Sequence, residues 1–117
     1  MSQRDKGQRG EDSAVGYLKR HGFEILLRNF RTRRGEIDII ARNKEGIRFI
    51  EVRMRKDDSL VLPQETIIKK KKKRIISAAR EYLSKEHLFG KEDCHFDVIA
   101  IDGDDIDYIP DAFSVDA

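Results

Sequence analysis

The feature that most constrains the fold is a pair of short segments that flank a four-residue turn. Residues 36–42 and 47–55 alternate apolar and polar side chains, which is typical of half-buried β-strands. Between them, Asn43-Lys44-Glu45-Gly46 has the composition of a tight hairpin turn. The sequence therefore predicts two antiparallel strands joined by this turn.

The remaining elements are indicated by helical or alternating spacing of apolar residues. They are a helix at 8–21 ended by Gly22, a strand at 23–30, a long helix at 66–86, a strand at 95–101 and a short edge strand at 105–109. The order α-β-β-β-α-β-(β) predicts an α/β or α+β domain with helices packed on a mixed sheet. At 117 residues, one domain covering residues 1–117 is expected.

The charge distribution is lopsided although the net charge is only +2. Residues 1–74 contain 21 Lys and Arg against 11 Asp and Glu, whereas residues 75–117 contain 3 against 11. This asymmetry favours an anionic partner for the first part, with nucleic acid the leading candidate. The alternative is that the two parts neutralise each other within one fold.

Two basic clusters would contact phosphates, which gives affinity without reading the base sequence. The residues predicted to do so are Arg28, Arg31, Arg33, Arg34, Arg55, Lys71, Lys72 and Arg74. Charge runs are usually solvated helix faces, and this remains the plainer explanation for part of the run that covers residues 69–74.

The composition also predicts where the chain resides. Cys94 is the single cysteine, so no intrachain disulfide is possible, and a reducing compartment fits that count. The first residues contain no apolar signal segment, and no apolar run reaches the ~20 residues that a transmembrane helix needs. A cytoplasmic protein without a membrane partner is expected.

Two carboxylates on the predicted hairpin are candidate metal ligands. If the loop consists of Lys44 and Glu45, the register places Asp38 directly opposite Glu51, with Cβ atoms about 5 Å apart. Opposed like charges are destabilising unless a cation lies between them. Mg²⁺, which binds through one or two carboxylates plus waters and phosphate oxygens, would satisfy the pair.

Two alternatives remain open at this point. A turn with a bulge at Gly46 would shift the register by one residue and place Asp38 beside Val52. The two carboxylates could also be exposed strand residues, each paired with an arginine such as Arg53 or Arg42. Glu11, which shares the inward face of the first helix, is either a helix-start carboxylate or a third site residue.

Several motifs distributed over nearly the whole chain support a resemblance to a known family. They are Gly7-Gln8-Arg9-Gly10-Glu11-Asp12 with Ala14 and Tyr17-Leu18, Arg28-Asn29-Phe30-Arg31, Gly35-Glu36-Ile37-Asp38-Ile39-Ile40-Ala41, Phe49-Ile50-Glu51-Val52-Arg53-Met54-Arg55, Lys71, Arg74, Ala78-Ala79, Tyr82-Leu83, Phe96-Asp97-Val98-Ile99-Ala100 and Ala112-Phe113. With these motifs the chain resembles the YraN-like family of small bacterial proteins, which are regarded as endonucleases. It also resembles the wider restriction-endonuclease-like group with a PD-(D/E)xK active site, and its layout is similar to that of archaeal Holliday-junction resolvases.

The resemblance implies a function and a set of site residues. Glu11, Asp38 and Glu51 would be the acidic site residues, and Asp38, Glu51 and the backbone carbonyl of Val52 would hold Mg²⁺ or Mn²⁺. The expected activity is metal-dependent hydrolysis of DNA phosphodiester bonds, with branched or junction DNA as one expected substrate. A homodimer is suggested only by the similarity to junction resolvases.

One residue departs from the family pattern. The pattern has lysine two residues after Glu51, and this chain has Arg53 at that position, which the resemblance implies is the catalytic cation. A guanidinium can steady a phosphate but cannot act as a general base. One hypothesis is that Lys71 or Lys72 on the long helix supplies an ammonium instead. The competing hypothesis is a nucleic-acid-binding module that keeps the nuclease fold with weak catalysis or none.

Overall fold

A computed structural model describes residues 3–54 and 69–115 of the chain, with side chains from residue 8 onward. Its elements are α1 (Gln3–Arg20), β1 (Glu24–Arg31), β2 (Glu36–Asn43), β3 (Gly46–Met54), α2 (Lys69–Lys85), β4 (Cys94–Asp102) and β5 (Asp105–Phe113). The predicted α+β class and the element order are therefore confirmed. Neither helix is long and apolar enough to cross a membrane.

The five strands form one sheet in the order β1-β2-β3-β4-β5. β3 and β4 run parallel, and the other neighbours are antiparallel, so the sheet is mixed as expected. A parallel pair requires a long crossover between its strands, and the segment containing α2 supplies it.

The core has two halves, one on each side of the sheet. α2 covers one half, and the apolar residues it buries there are Ile75, Ile76, Ala78, Ala79, Tyr82 and Leu83. α1 covers the other half through Ala14, Val15 and Leu18. Both predicted apolar stripes thus face the sheet, except that Ile68 lies outside the described residues.

Two element boundaries were predicted wrongly. α1 begins at Gln3, not at residue 8. Its first turns are polar, so they lack the apolar periodicity from which a helix is predicted. β5 continues to Phe113, not to 109, although Pro110 and the positive φ of Asp111 (50°) interrupt its pattern. Proline is tolerated there because β5 is an edge strand.

The hairpin register agrees with the two-residue loop and rules out the bulged alternative. Asn43 pairs with Gly46, and the ladder continues to Ile39 opposite Ile50. Gly46 has a φ of 126°, and a Cβ there would lie 2.2 Å from the carbonyl oxygen of Asp93. Only glycine fits this position, which fixes where the hairpin turns.

β2 changes sides at Asp38, which alternation did not predict. Strict alternation along β2 predicts that Ile37 and Ile39 share one face, and this is wrong, because Ile39 packs on the α1 side and Ile37 on the α2 side. On the neighbouring strand β1, Arg28 pairs with Ile39 and Phe30 pairs with Ile37. Asn29, which lies between them and therefore opposite Asp38, has a positive φ of 54°. Asp38 therefore lies at a local irregularity of the sheet.

Candidate functional site

Asp38 lies just beyond the last backbone pair of β2 and β3. Past the Ile39–Ile50 pair, the Asp38 Oδ2 atom accepts a hydrogen bond from the backbone N–H of Val52 at 2.8 Å. The side chain thus satisfies a β3 donor at this end of the ladder. This bond fixes the Asp38 carboxylate between the two strands.

Glu51 precedes Val52 on β3, and its carboxylate is directed towards α2. The Nζ atom of Lys71 lies 2.6 Å from Glu51 Oε1, and the nearer guanidinium nitrogen of Arg53 lies 3.9 Å from the same oxygen. Glu51 is only 8% exposed, so it is not a solvated strand carboxylate. Arg42 forms its ion pairs with Glu92 and Glu24 instead.

The electrostatics of Asp38 reflect the crowding of acidic groups. Burial, followed by the negative charge of Glu51 and then that of Glu11, raises the pKa of Asp38 to about 7. The Val52 N–H and the Lys71 ammonium oppose this rise. Asp38 and Glu51 therefore interact strongly enough to disfavour two negative charges unless a cation compensates them.

Glu11 enters the same region from α1. Its side chain is 12% exposed and lies 3.5 Å from a guanidinium nitrogen of Arg28, which also binds Asp12 at 2.7 Å. The helix can approach because the preceding residue is Gly10, where a Cβ would meet the Met54 sulfur at 2.6 Å. A close contact between α1 and the end of β3 thus brings Glu11 near the hairpin carboxylates.

The donors fit a divalent cation that is bound largely by non-protein ligands. Within residues 8–54 and 69–115, no group of three or more His, Cys, Asp and Glu side chains forms a metal cluster. Asp38 and Glu51 are two hard carboxylate donors. The Val52 carbonyl is on β3, between Glu51 and the solvent-exposed Met54. Two carboxylates and few other protein ligands are the usual pattern for Mg²⁺.

A basic cleft adjoins Glu51. It has a volume of about 340 Å³ and is lined by Glu36, Lys70, Lys71, Arg74 and Ile75. The loop before β2 presses against α2 here, because a Cβ on Gly35 would lie 2.1 Å from the carbonyl oxygen of Arg74. The exposed residues Arg33 and Arg34 lie in that loop. Two basic segments that are distant in sequence thus meet beside the acidic pair.

The other predicted phosphate-binding residues are placed differently. Arg28 is engaged with Asp12, and Arg31 pairs with Glu36 at 3.2 Å. The Lys72 ammonium lies 5.7 Å from the centroid of the Phe113 ring. Arg55 lies outside the described residues. Of the two lysines considered as ammonium donors, only Lys71 therefore reaches Glu51.

Sequence reasoning missed a second charged cluster on the opposite side of the sheet. Asp97 is fully buried and accepts hydrogen bonds from Arg48, from the Tyr108 hydroxyl and from the Asp111 backbone N–H. The available signal was Arg48 itself, which is two residues before Ile50 on an inward-facing set of β3. Its partner could not be identified before the β3–β4 register was known.

The fold and the site define a class: a mixed-sheet α+β domain in which two carboxylates converge beside a basic cleft. The chain belongs to the uncharacterised protein family UPF0102, whose model matches residues 10–101. This confirms the resemblance to the YraN-like family. The match includes Glu11, Asp38 and Glu51.

Individual relatives match over nearly their whole length. A UPF0102 protein of Persephonella marina is 45% identical over 111 residues, which cover 95% of each chain. A second, from Syntrophotalea carbinolica, is 43% identical over 94% of this chain and 92% of its own. A third, from Sulfurihydrogenibium, is 39% identical over 99% of this chain and 100% of its own.

Proposed function

We propose that the chain is a divalent-metal-dependent endonuclease that hydrolyses DNA phosphodiester bonds, with branched or junction DNA as the expected form. The observation that carries the proposal is the convergence of Asp38 and Glu51 from adjacent strands beside a cleft lined by basic residues. Neighbouring carboxylates with little exposure to solvent, whose charges conflict, are characteristic of sites that bind a cation. The cleft supplies positive charge for a phosphate backbone.

Mg²⁺ or Mn²⁺ would be held by Asp38, Glu51 and the backbone carbonyl of Val52. Such an ion, when bound, activates a water and stabilises the charge that develops on the phosphate. The Val52 N–H orients the Asp38 carboxylate at 2.8 Å, and Glu11 adds negative charge to the site from α1. Lys70 and Arg74 would hold flanking phosphates through charge alone.

The resemblance to the PD-(D/E)xK group and to junction resolvases supports the same reading. Its acidic positions correspond to Glu11, Asp38 and Glu51 in this chain, and the effect of the Glu51 and Glu11 charges on the pKa of Asp38 supports grouping them. The departure is Arg53, whose guanidinium lies 3.9 Å from Glu51. Arg53 would contribute charge stabilisation and no proton transfer.

A second candidate function follows from that departure. With arginine in the lysine position, the domain would bind nucleic acid through its basic cleft and cleave weakly or not at all. This hypothesis predicts DNA affinity that falls steeply as salt is raised, because bound phosphates release counterions. Binding that is absent or independent of salt would exclude it.

Cleavage assays separate the two functions. Purified protein is incubated with four-way-junction, flapped, single-stranded and plasmid DNA in Mg²⁺ or Mn²⁺. We expect cleavage by the wild type, a loss of at least about 10³-fold in Asp38→Asn and Glu51→Gln, and no change in Asp104→Asn, a matched variant in an exposed turn. Equal rates in the wild type and Asp38→Asn would contradict the enzyme proposal. A gain of cleavage in Arg53→Lys would show that position 53 limits turnover.

A further inference from the structure

The cation nearest to Glu51 comes from α2 and not from β3. Lys71 Nζ is 2.6 Å from Glu51 Oε1, whereas the Arg53 guanidinium is 3.9 Å away on the same strand as Glu51. We propose that Lys71 is a catalytic residue that supplies the ammonium missing from position 53 and contacts the scissile phosphate. The inference deepens the proposed nuclease function and rests on it.

Exposure supports this role for Lys71. Its side chain is 39% exposed while the Glu51 side chain is 9% exposed. The ammonium is therefore anchored at one end to a nearly buried carboxylate and remains accessible to a ligand from solvent. The Arg53 side chain is 24% exposed and farther from the carboxylate, so it is the less direct source of charge.

A close backbone contact, in addition to the buried apolar side chains of α2, sets the position of this helix near Lys71. Gly35 packs against the backbone of Arg74, and Lys71 precedes Arg74 by three residues, or about one helical turn. The loop is held by Thr32, whose N–H donates to the Gly35 carbonyl at 2.8 Å and whose Oγ1 accepts from the Gly35 N–H at 3.1 Å. Lys71 is thus fixed relative to β2, which begins after this loop and carries Asp38.

Lys71 also connects the acidic pair with the basic cleft. It lines the cleft together with Lys70 and Arg74, and it contacts Glu51 at the same time. A phosphate backbone that follows the cleft would therefore encounter the Lys71 ammonium where it reaches the carboxylates. Neither Lys70 nor Arg74 has an ion pair with Glu51 among the described residues.

The chemical role is electrostatic. In hydrolysis the water oxygen forms a new bond to phosphorus, the bond from phosphorus to the leaving oxygen breaks, and the leaving oxygen takes up a proton from solvent. The proton lost by the attacking water also passes to solvent. Lys71 transfers no proton in this step. Its positive charge balances the negative charge that accumulates on the phosphate oxygens.

Single-turnover cleavage of junction DNA in Mn²⁺ tests the assignment. Lys71→Met is expected to slow cleavage at least about 100-fold, whereas Lys71→Arg retains a measurable fraction of the rate. Lys85→Met, the matched control in the last turn of the same helix, should stay within about threefold of the wild type. Adding Arg53→Lys to Lys71→Met should raise the cleavage rate at least about tenfold, because an ammonium is then supplied from β3 in place of α2. Cleavage by Lys71→Met within threefold of the wild type would overturn the proposal.

Metal affinity distinguishes catalysis from simple positioning of Glu51. Removal of the ammonium leaves Arg53, at 3.9 Å, as the remaining cation beside Glu51, so Lys71→Met should bind Mn²⁺ as tightly as the wild type or up to about tenfold more tightly. Mn²⁺ affinity that falls in step with the cleavage rate would show that Lys71 only holds Glu51 in place, and the catalytic assignment would fail.

A separate readout decides the matter if the wild type cleaves nothing, in which case the proposed nuclease function fails on its own. Affinity for a short DNA duplex in Ca²⁺ should then fall at least about fivefold in Lys71→Met and less than twofold in Lys85→Met. Equal affinities of the two variants would remove Lys71 from any phosphate contact.

Discussion

The sheet contains a fully buried aspartate, Asp97, and a partly buried one, Asp38, and they differ in how their charge is satisfied. Asp97 is 0% exposed, and Arg48, Tyr108 and the Asp111 N–H all donate to it. Among the described residues, Asp38 accepts one hydrogen bond, from Val52, and it faces the like charge of Glu51. Burial raises the pKa of both carboxyls, but only Asp97 has a full set of donors that opposes the rise.

The difference distinguishes a carboxylate with a structural role, Asp97, from one that can still bind a cation, Asp38. A buried charge whose oxygens are all paired contributes to a unique fold and has no capacity for a further ligand. A buried carboxylate that opposes another acquires a favourable partner when a cation arrives. The same residue type at two places in one sheet therefore has opposite expected responses to substitution.

The largest expected effect is the loss of stability on removing the Asp97 charge. Asp97→Asn removes the buried counter-ion of the Arg48 guanidinium and leaves it only the exposed carboxylates of Glu45 and Asp111, and breaking a buried pair costs about 3–5 kcal/mol. Asp38→Asn keeps the acceptor for Val52 and should lose no stability at pH 8 without metal. Urea unfolding of the two variants checks this contrast. Equal destabilisation would erase the distinction between the two aspartates.

The next effect is the pH dependence that Asp38 causes. Its pKa is about 7 in the folded protein against an ordinary 3.8, so the folded state holds the proton more tightly. The corresponding stability is fully present below about pH 4 and is lost as the pH rises through 7, with a difference on the order of 2–4 kcal/mol. Asp38→Asn should reduce this loss in chelator. If the stability curves of the wild type and the variant are parallel from pH 4 to 8, Asp38 is not the cause of the pH dependence.

A smaller effect concerns the glycine that supports the site. Gly35→Ala drives a Cβ into the Arg74 backbone, which cannot move without displacing α2, and we expect a destabilisation of about 1–3 kcal/mol. Gly10→Ala is the matched control, because its obstacle is the flexible Met54 side chain. Thermal unfolding should rank Gly35→Ala well below Gly10→Ala, and the reverse order would contradict the proposed anchoring of α2.

The smallest expected effect concerns His95, which binds Asp111 beside the charged cluster of Arg48 and Asp97. The two ring nitrogens of His95 each face an acceptor, Asp111 Oδ1 at 2.7 Å and the Glu45 carbonyl at 3.1 Å. Both nitrogens can donate a hydrogen bond only when the imidazole ring is protonated. Burial alone would lower the pKa of His95, but these bonds raise it above 6.5. The stabilisation, about 0.5 kcal/mol in this partly exposed pair, is present below pH 6.5 and is lost at higher pH. His95→Gln should abolish that loss in stability curves from pH 5 to 9.

The acidic site was predictable to the extent that its geometry is local. Asn43 and Gly46 determine the hairpin register, and that register brings Asp38 and Glu51 to the same end of two strands. The irregularity at Asp38 was not predictable, because it depends on a positive φ at Asn29 in the neighbouring strand.

Residues that depend on long-range packing could not be assigned from the sequence. Lys71 and Lys72 are adjacent in a uniform basic run, and only the rotation of α2 on the sheet sends one to Glu51 and the other to Phe113. The Arg48–Asp97 pair likewise requires the parallel β3–β4 register, which no local pattern reveals.

Titration calorimetry with Mn²⁺ is the most direct test that the two hairpin carboxylates form a cation site. Wild-type protein should bind one ion, and Asp38→Asn and Glu51→Gln should each weaken binding at least about tenfold. Glu92→Gln, which removes the partner of Arg42 away from the site, should leave the affinity unchanged. Absence of Mn²⁺ binding by the wild type, or binding that survives both site substitutions, would contradict the account.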